Sequence, residues 1–183
     1  MSAPCRLAVV GNSGSGKTTL AAAIAMRLGC DHIELDGIHH LPNWTPIERE
    51  PMREIVTSRI AAESWVVDGN YQSLVQDLVF ARADTVVWLD LPRRVVMSRV
   101  VRRTLGRMLL RRELWNGNRE RFRSLVRTEP EENIILWSWT QHHRYRDRYG
   151  AASTDPAFQH LEWVRITSPR QQRRWLAELG LSR

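Results

Sequence analysis

One stretch limits the folds open to this 183-residue chain more than any other: residues 6–28, "RLAVVGNSGSGKTTLAAAIAMRL". An apolar run of strand character ends at Gly11. Four residues later come Gly16, Lys17 and Thr18, and an alanine-rich run of high helix propensity follows. Strand, glycine-rich turn and helix in that order spell the phosphate-binding loop G-x-x-x-x-G-K-[ST]. Glycines let successive backbone N–H groups converge on phosphate oxygens, and the helix behind them adds the positive end of its dipole. The candidate nucleotide-binding residues are therefore Gly11, Asn12, Ser13, Gly14, Ser15, Gly16, Lys17, Thr18 and Thr19. Lys17 reaches the outer phosphates, and the Thr18 hydroxyl is the expected Mg²⁺ ligand. ATP and Mg²⁺ are the expected cofactors.

Composition sharpens this. Of 27 basic residues, Lys17 is the only lysine; the others are arginine. A compact ammonium suits a point between phosphates, where a planar guanidinium does not. With no second lysine there is no Asn-Lys-x-Asp motif of the kind that reads guanine in GTPases. The signature motif and extra length of transporter-type ATPases are also missing. A small phosphotransferase or a stand-alone ATPase remains. The net charge of +7 keeps a nucleic-acid partner in view, as a nucleotide-dependent ATPase that binds nucleic acid. That alternative is not favoured: no helix-turn-helix, zinc-finger or RNA-binding signature appears, and the aromatic–arginine mixture at 137–149 is its sole local support. No apolar run has membrane length, and the first residues lack a leader pattern, so the expectation is a cytoplasmic protein without a membrane partner. Cys5 and Cys30 show no metal-ligand spacing and read as small apolar residues.

Short β-branched or apolar runs predict strands at 7–10, 32–35, 65–67, 85–89 and 163–166. Helices are predicted at 17–28, 46–64, 92–105, 131–148 and 169–179, with Thr45 capping the second and Pro46 at its first position. The alternation predicts one α/β domain of three layers, a five-stranded parallel sheet flanked by helices. Residues 106–127 are rich in arginine and contain the turn signal Asn116-Gly117-Asn118; they read as a lid-like insertion over the sheet edge. Trp65, Trp88 and Trp163 read as core, as does at least one of Trp137 and Trp139.

Ligands of open α/β sheets collect at the carboxyl ends of the strands. Asp36, Asp68 and Asp90 are expected there. Asp68, with Gly69 behind it, reads as functional, either through a Mg²⁺-bound water or as a proton acceptor. Asp36 is open between a proton acceptor and a cap, and Asp90 reads as a helix cap. The acceptor-site candidates are Asp36, His39, Trp44, Asn70 and Tyr71. His40 beside His39 points to another face, so the two make a poor metal pair.

The segments "GNSGSGKTT", "LDGIHHLPNW", "WVVDGNY" and "VVWLDLPRRVVMSRVVRR" resemble, in matching order over most of residues 6–148, the P-loop proteins called DNA topology modulation proteins, of the adenylate kinase-like group. The resemblance implies an ATP-dependent kinase moving the γ-phosphate to a small acceptor, with a nucleotide or nucleoside among the candidates. Asp68-Gly69 is similar to the Asp-Gly that ends the third strand of adenylate kinases, near metal and acceptor. Arg99 and Arg103 are similar to their arginine pair that packs on the base and grips phosphate. Residues 106–127 resemble their lid in position. Lys17, Asp68, Asp36, Arg99 and Arg103 are thus the candidate catalytic residues. Further arginine candidates are Arg107, Arg111, Arg112, Arg119, Arg123, Arg144, Arg146 and Arg148. One departure matters: "NYQ" follows Asp-Gly where adenylate kinases carry an arginine that clamps the acceptor phosphate.

Overall fold

The computed structural model describes residues 5–110, 113–119, 129 and 133–179. Its centre is a five-stranded sheet: β1 Arg6–Gly11, β2 Asp31–Glu34, β3 Trp65–Asp68, β4 Thr85–Leu89 and β5 Glu162–Ile166. All pairings are parallel, and the order is β2-β3-β1-β4-β5. The strands are apolar on both faces because helices cover both. One face buries Ala8, Val10, Ile33, Val67, Val86 and Trp88 under α3 (Arg49–Arg59), α4 (Asp77–Arg82) and α6 (Ile134–Ala152). The other buries Leu7, Val9, Val66, Val87 and Leu89 under α1 (Lys17–Leu28), α5 (Arg93–Leu109) and α7 (Pro169–Glu178). The expected α/β three-layer fold with a five-stranded parallel sheet is the fold observed. The first strand lies at its centre, so the loop after it opens at the middle of the carboxyl edge.

The differences lie between strands. β2 ends at Glu34, and Asp36 falls inside a short helix, α2 (Leu35–His39), rather than at a strand end. The second long helix starts at Arg49, and Thr45 does not cap it. Thr45 closes a turn instead. Its carbonyl accepts from Leu41 N–H at 2.8 Å, and Pro46 bridges to His40. Asn43 and Trp44 stand at φ 61° and 60°, outside the helical region. A π-helical turn, Gln72–Gln76, and α4 fill the β3–β4 connection, where no helix was predicted. Asp90 is not a helix cap. Its carboxylate accepts from Arg165 at 2.5 and 3.0 Å and lies 3.4 Å from Arg146. Trp65 and Trp88 are buried and Trp163 is half-buried against the core. Neither Trp137 nor Trp139 is buried. α6 turns Ser138 inward between them, and Trp139 lies under the Arg93 guanidinium at 4.4 Å. The first part of the 106–127 segment is the end of α5, and 113–119 folds back as a turn. Residues 111–112 and 120–127 lie outside the described residues.

Candidate active site

The loop after β1 has the conformation its glycines predict. Gly11, Gly14 and Gly16 stand at φ 140°, 81° and 96°, values open to glycine and costly for other residues. At Gly14 space adds to the requirement: a Cβ would lie 2.3 Å from Val100 Cγ2 and 2.9 Å from the Val96 carbonyl on α5. Side chains from distant parts of the chain hold the rest. Asn70 accepts from Gly11 N–H (3.1 Å), donates to Gly11 O (2.7 Å) and accepts from Tyr149 O–H (3.0 Å). Buried Asn12 donates to the Ser138 carbonyl (2.7 Å), and Ser138 Oγ donates to Ser13 O (3.0 Å). The loop is thereby tied to β3 and α6 before any ligand arrives. Asn70, expected in the acceptor site, has its amide engaged on this loop.

Lys17 Nζ donates to Asn12 O at 3.3 Å. Burial lowers the pKa of this ammonium below the ordinary lysine range; Asp36, Asp68 and Glu34 pull the other way, while Arg103 reinforces the lowering. Three carboxylates and a guanidinium thus share the field of one ammonium. Arg99 donates to Ser15 O at 3.0 Å, beside Gly16. Thr18 and Thr19 begin α1 in exposed positions. Of the further arginines, Arg146 serves Asp90, Arg148 lies over the Tyr145 ring and Arg119 pairs with Glu113. Arg111, Arg112 and Arg123 lie outside the described residues.

Asp68 is buried at the end of β3 and meets His32 Nε2 at 3.1 Å; that bond raises the His32 pKa. By the alternation of the strand it shares the α1 face with Val66. Glu34, its register partner on β2, is half-buried. Burial raises the pKa of its carboxyl, against a hydrogen bond from Trp115. Asp36 accepts from Tyr71 O–H at 2.6 Å, and the same hydroxyl lies 3.5 Å from His40 Nε2. Burial and the adjacent Asp36 push the Tyr71 phenol far above its usual range, so it stays a donor. The His39 ring packs on Tyr71 at 4.6 Å, and burial lowers the pKa of both His39 and His40.

The wall beyond these groups consists of two turns of the same design. In one, Leu41 N–H donates to Thr45 O and Thr45 N–H to Pro42 O; in the other, Leu114 N–H donates to Asn118 O and Asn118 N–H to Trp115 O. Each is closed by an antiparallel bridge, His40 with Pro46 and Glu113 with Arg119. Each centres on an asparagine with positive φ, Asn43 and Asn116, the residue that tolerates that region best after glycine. The turns then grip each other. Asn116 donates to Gly37 O (3.2 Å) and His40 O (2.6 Å), and Asn118 donates to Leu41 O (2.9 Å). Trp44 N–H donates to Asn118 Oδ1 (2.9 Å), and its indole N–H to Arg119 O (3.3 Å). Trp44, expected to stack an acceptor, edges onto His40 and faces the second turn. The indole over α2 is Trp115: a Cβ on Gly37 would lie 3.0 Å from its Cδ1, and its ring stacks on His40 at 6.0 Å. Sequence reading missed Glu34 and Trp115. Glu34 looked like the inside of a strand, and Trp115 lies 81 positions further along the chain. The Asn-Gly-Asn turn signal was the one available pointer.

Among the described residues, no group of three or more His, Cys, Asp or Glu side chains is arranged to hold a metal ion. Among the described residues, no helix is long and apolar enough to cross a membrane.

No family model matches the chain, and no curated protein matches it. Solved structures do. A gluconokinase from Sinorhizobium meliloti 1021 is 21% identical, with a TM-score of 0.51 over 100% of this chain and 97% of that one. A shikimate kinase from Bacteroides thetaiotaomicron is 15% identical (TM-score 0.53, 97% of each chain). A shikimate kinase from Acinetobacter baumannii, in complex with shikimate, is 19% identical (TM-score 0.54, 96% of this chain and 92% of that one). The chain therefore has the fold of small P-loop kinases. At these identities the likeness is one of fold. It agrees with the P-loop fold that the resemblance read from the sequence implies and adds nothing to the topology-modulation part.

Proposed function

We propose that the protein is an ATP-dependent phosphotransferase acting on a small hydroxyl-bearing acceptor. The observation that carries this is the phosphate loop in its glycine-built conformation, with Lys17 behind it and buried Asp68 at the end of the neighbouring strand β3, and with Asp36, Asp68 and Glu34 all within electrostatic reach of that ammonium. A nucleotide trap alone needs the lysine; carboxylates of opposite sign beside the outer phosphate serve an incoming nucleophile. In this reading the loop amides and Lys17 hold the triphosphate, and Arg99 and Arg103 close on it from α5. Mg²⁺, when bound, supplies charge neutralisation at the β- and γ-phosphates, with Thr18 and a water on Asp68 as its protein-side ligands. Asp36 takes the proton from the acceptor hydroxyl. The new P–O bond forms to that oxygen, and the bond to the β-phosphate oxygen breaks, releasing ADP. Tyr71 holds Asp36 in place, and His39 and Trp44 stand around the acceptor side.

ADP release measured over a panel of nucleotides, nucleosides and small hydroxyl compounds tests this. At least one acceptor should stimulate it well above the slow loss of ATP to water. Unchanged loss with every compound overturns the proposal, and ATP-modulated, salt-sensitive binding of DNA or RNA in its place would favour the nucleic-acid alternative.

A further inference from the structure

Asp36 and His40 stand one helical turn apart on α2, and His40 N–H closes that turn on Asp36 O at 3.1 Å. The spacing sets both side chains on one face. The phenol of Tyr71 reaches them from the residues after β3: its O–H donates to Asp36 Oδ1 at 2.6 Å, and the same oxygen lies 3.5 Å from His40 Nε2. One hydroxyl proton thus serves two acceptors, a carboxylate and, with the ring proton on Nδ1, an imidazole nitrogen. While Asp36 is ionised it holds that proton, as the shorter bond shows. We infer that Asp36, Tyr71 and His40 form a proton relay, in which His40 takes from Asp36, through Tyr71, the proton that the acceptor hydroxyl gives up. This deepens the phosphotransferase reading and rests on it. As the acceptor oxygen bonds to the γ-phosphorus and the bond to the β-phosphate oxygen breaks, the acceptor's proton moves to Asp36. The Asp36 carboxyl then gives it to the Tyr71 oxygen, while Tyr71's own proton passes to His40 Nε2. Asp36 is again a carboxylate, Tyr71 again a phenol, and the His40 imidazolium gives a proton to water. Burial and the adjacent Asp36 keep the phenol far above its usual range, so its two transfers occur together and no phenolate forms. Burial also keeps the His40 ring neutral between turnovers, ready to accept. The relay is held in place by its surroundings. His39 packs on Tyr71 at 4.6 Å, Trp44 meets the His40 ring edge-on at 5.2 Å, and Trp115 stacks on it at 6.0 Å. His40 O accepts from Asn116 at 2.6 Å, and His40 bridges to Pro46. The two gripping turns therefore fix the outer end of the relay.

The test reads ATP turnover with the compound, from the panel of nucleotides, nucleosides and small hydroxyl compounds, that most stimulates ADP release. His40→Gln keeps a polar side chain but has no proton site; it should lower kcat about 10-fold and leave the KM for ATP and for the acceptor within about twofold. His40→Ala should fall as far, and added imidazole should restore most of the lost rate. Pyrazole, a ring of the same size and a far weaker base, should not. In a Tyr71→Phe background, imidazole should do nothing and His40→Gln should cost no further kcat, because the chain is already cut. An unchanged kcat in His40→Gln, a double variant whose loss is the product of the two single losses, or equal rescue by imidazole and pyrazole overturns the relay and leaves the kinase standing. If no panel compound stimulates ADP release, the kinase reading falls and the relay with it. A spectroscopic readout needs no turnover and keeps the inference open to refutation if His40→Ala does not fold. The amide of Asp36→Asn can donate to the Tyr71 oxygen as a protonated carboxyl would, which turns the phenol proton towards His40. In ¹⁵N-histidine spectra, assigned with His40→Gln, the His40 Nε2 resonance should move towards that of a hydrogen-bonded acceptor. A resonance that stays where it is in the parent protein overturns the relay.

Discussion

In the proposed reading, the nucleotide side and the acceptor side of this site are built by opposite means. The phosphate loop is a contiguous stretch whose glycines take the conformation that a phosphate needs, and Asn12, Asn70 and Ser138 lock it from behind. Its cations, Lys17, Arg99 and Arg103, come from the loop and the adjoining helix α5. The acceptor side is assembled from α2, the residues after β3 and two matched turns from opposite halves of the chain. Among the described residues it brings the carboxylates of Glu34, Asp36 and Asp68 beside the rings of Tyr71, His39, His40 and Trp115. A triphosphate is the same molecule in every ATP enzyme, so a short motif can specify its cradle. An acceptor differs from one enzyme to the next, and its pocket is left to long-range contacts.

If the two sides have these roles, substitutions on each should fail differently. Lys17→Ala should lower transfer by about 10³-fold, with ATP affinity falling too, because charge on the outer phosphate loses its partner in both ground and transition states. Asp36→Asn should lower kcat by about 10²-fold or more while ATP binding, read by calorimetry, stays near that of the parent. If Asp36→Asn instead weakened ATP binding as Lys17→Ala does, the division of labour would collapse.

Stability should divide along the same line. Gly14→Ala places a Cβ against Val96 and Val100 and forces alanine to φ 81°. It should destabilise the fold by about 3 kcal/mol in urea unfolding. Asn118→Ala removes one donor–acceptor side chain between the two turns; about 1–2 kcal/mol is expected. It should also raise the acceptor KM without changing that for ATP. Equal effects on both substrates would mean that the clasp supports the whole site rather than one side.

The same contrast explains what could be read from the sequence. All five predicted strands begin and end within one residue of the observed ones, because buried parallel strands are near-continuous apolar runs; β5, at the sheet edge, is the least buried of them. The phosphate loop was legible from eight consecutive residues. The second long helix was placed too early because Thr45-Pro46 has the chemistry of a helix start, while the bonds that hold it in a turn come from Leu41 and His40 and, beyond them, Asn118 and Arg119. Asp90 looked like a cap until β5 brought Arg165 beside it. Asn70 looked like an acceptor contact, since nothing in "DGNY" reveals that its amide matches the backbone of Gly11, 59 positions away. Glu34 and Trp115 illustrate the limit: neither residue type signals a site, and only the fold of the second turn joins them.

The smallest expected effect concerns acid. His39 and His40 both have pKa values lowered by burial from an ordinary 6.5. As pH falls through that value, the unfolded chain takes up protons that the folded chain refuses. Stability contributed by the neutral rings is therefore present above pH 6.5 and is lost as pH drops towards and through the lowered folded values. The loss should amount to no more than about 1 kcal/mol, since both rings are only half-buried and solvent screens them. It should also be local. In hydrogen exchange between pH 7.5 and 5.5, after correction for intrinsic rates, the amides of Trp44, Thr45 and Asn118 should lose protection while those of Gly11 and Ser15 keep theirs. A His39→Gln, His40→Gln double variant should flatten that difference, because glutamine has nothing to titrate. Equal loss on both sides of the site, in parent and variant alike, would place the acid sensitivity elsewhere and break the link between the histidines and the acceptor wall.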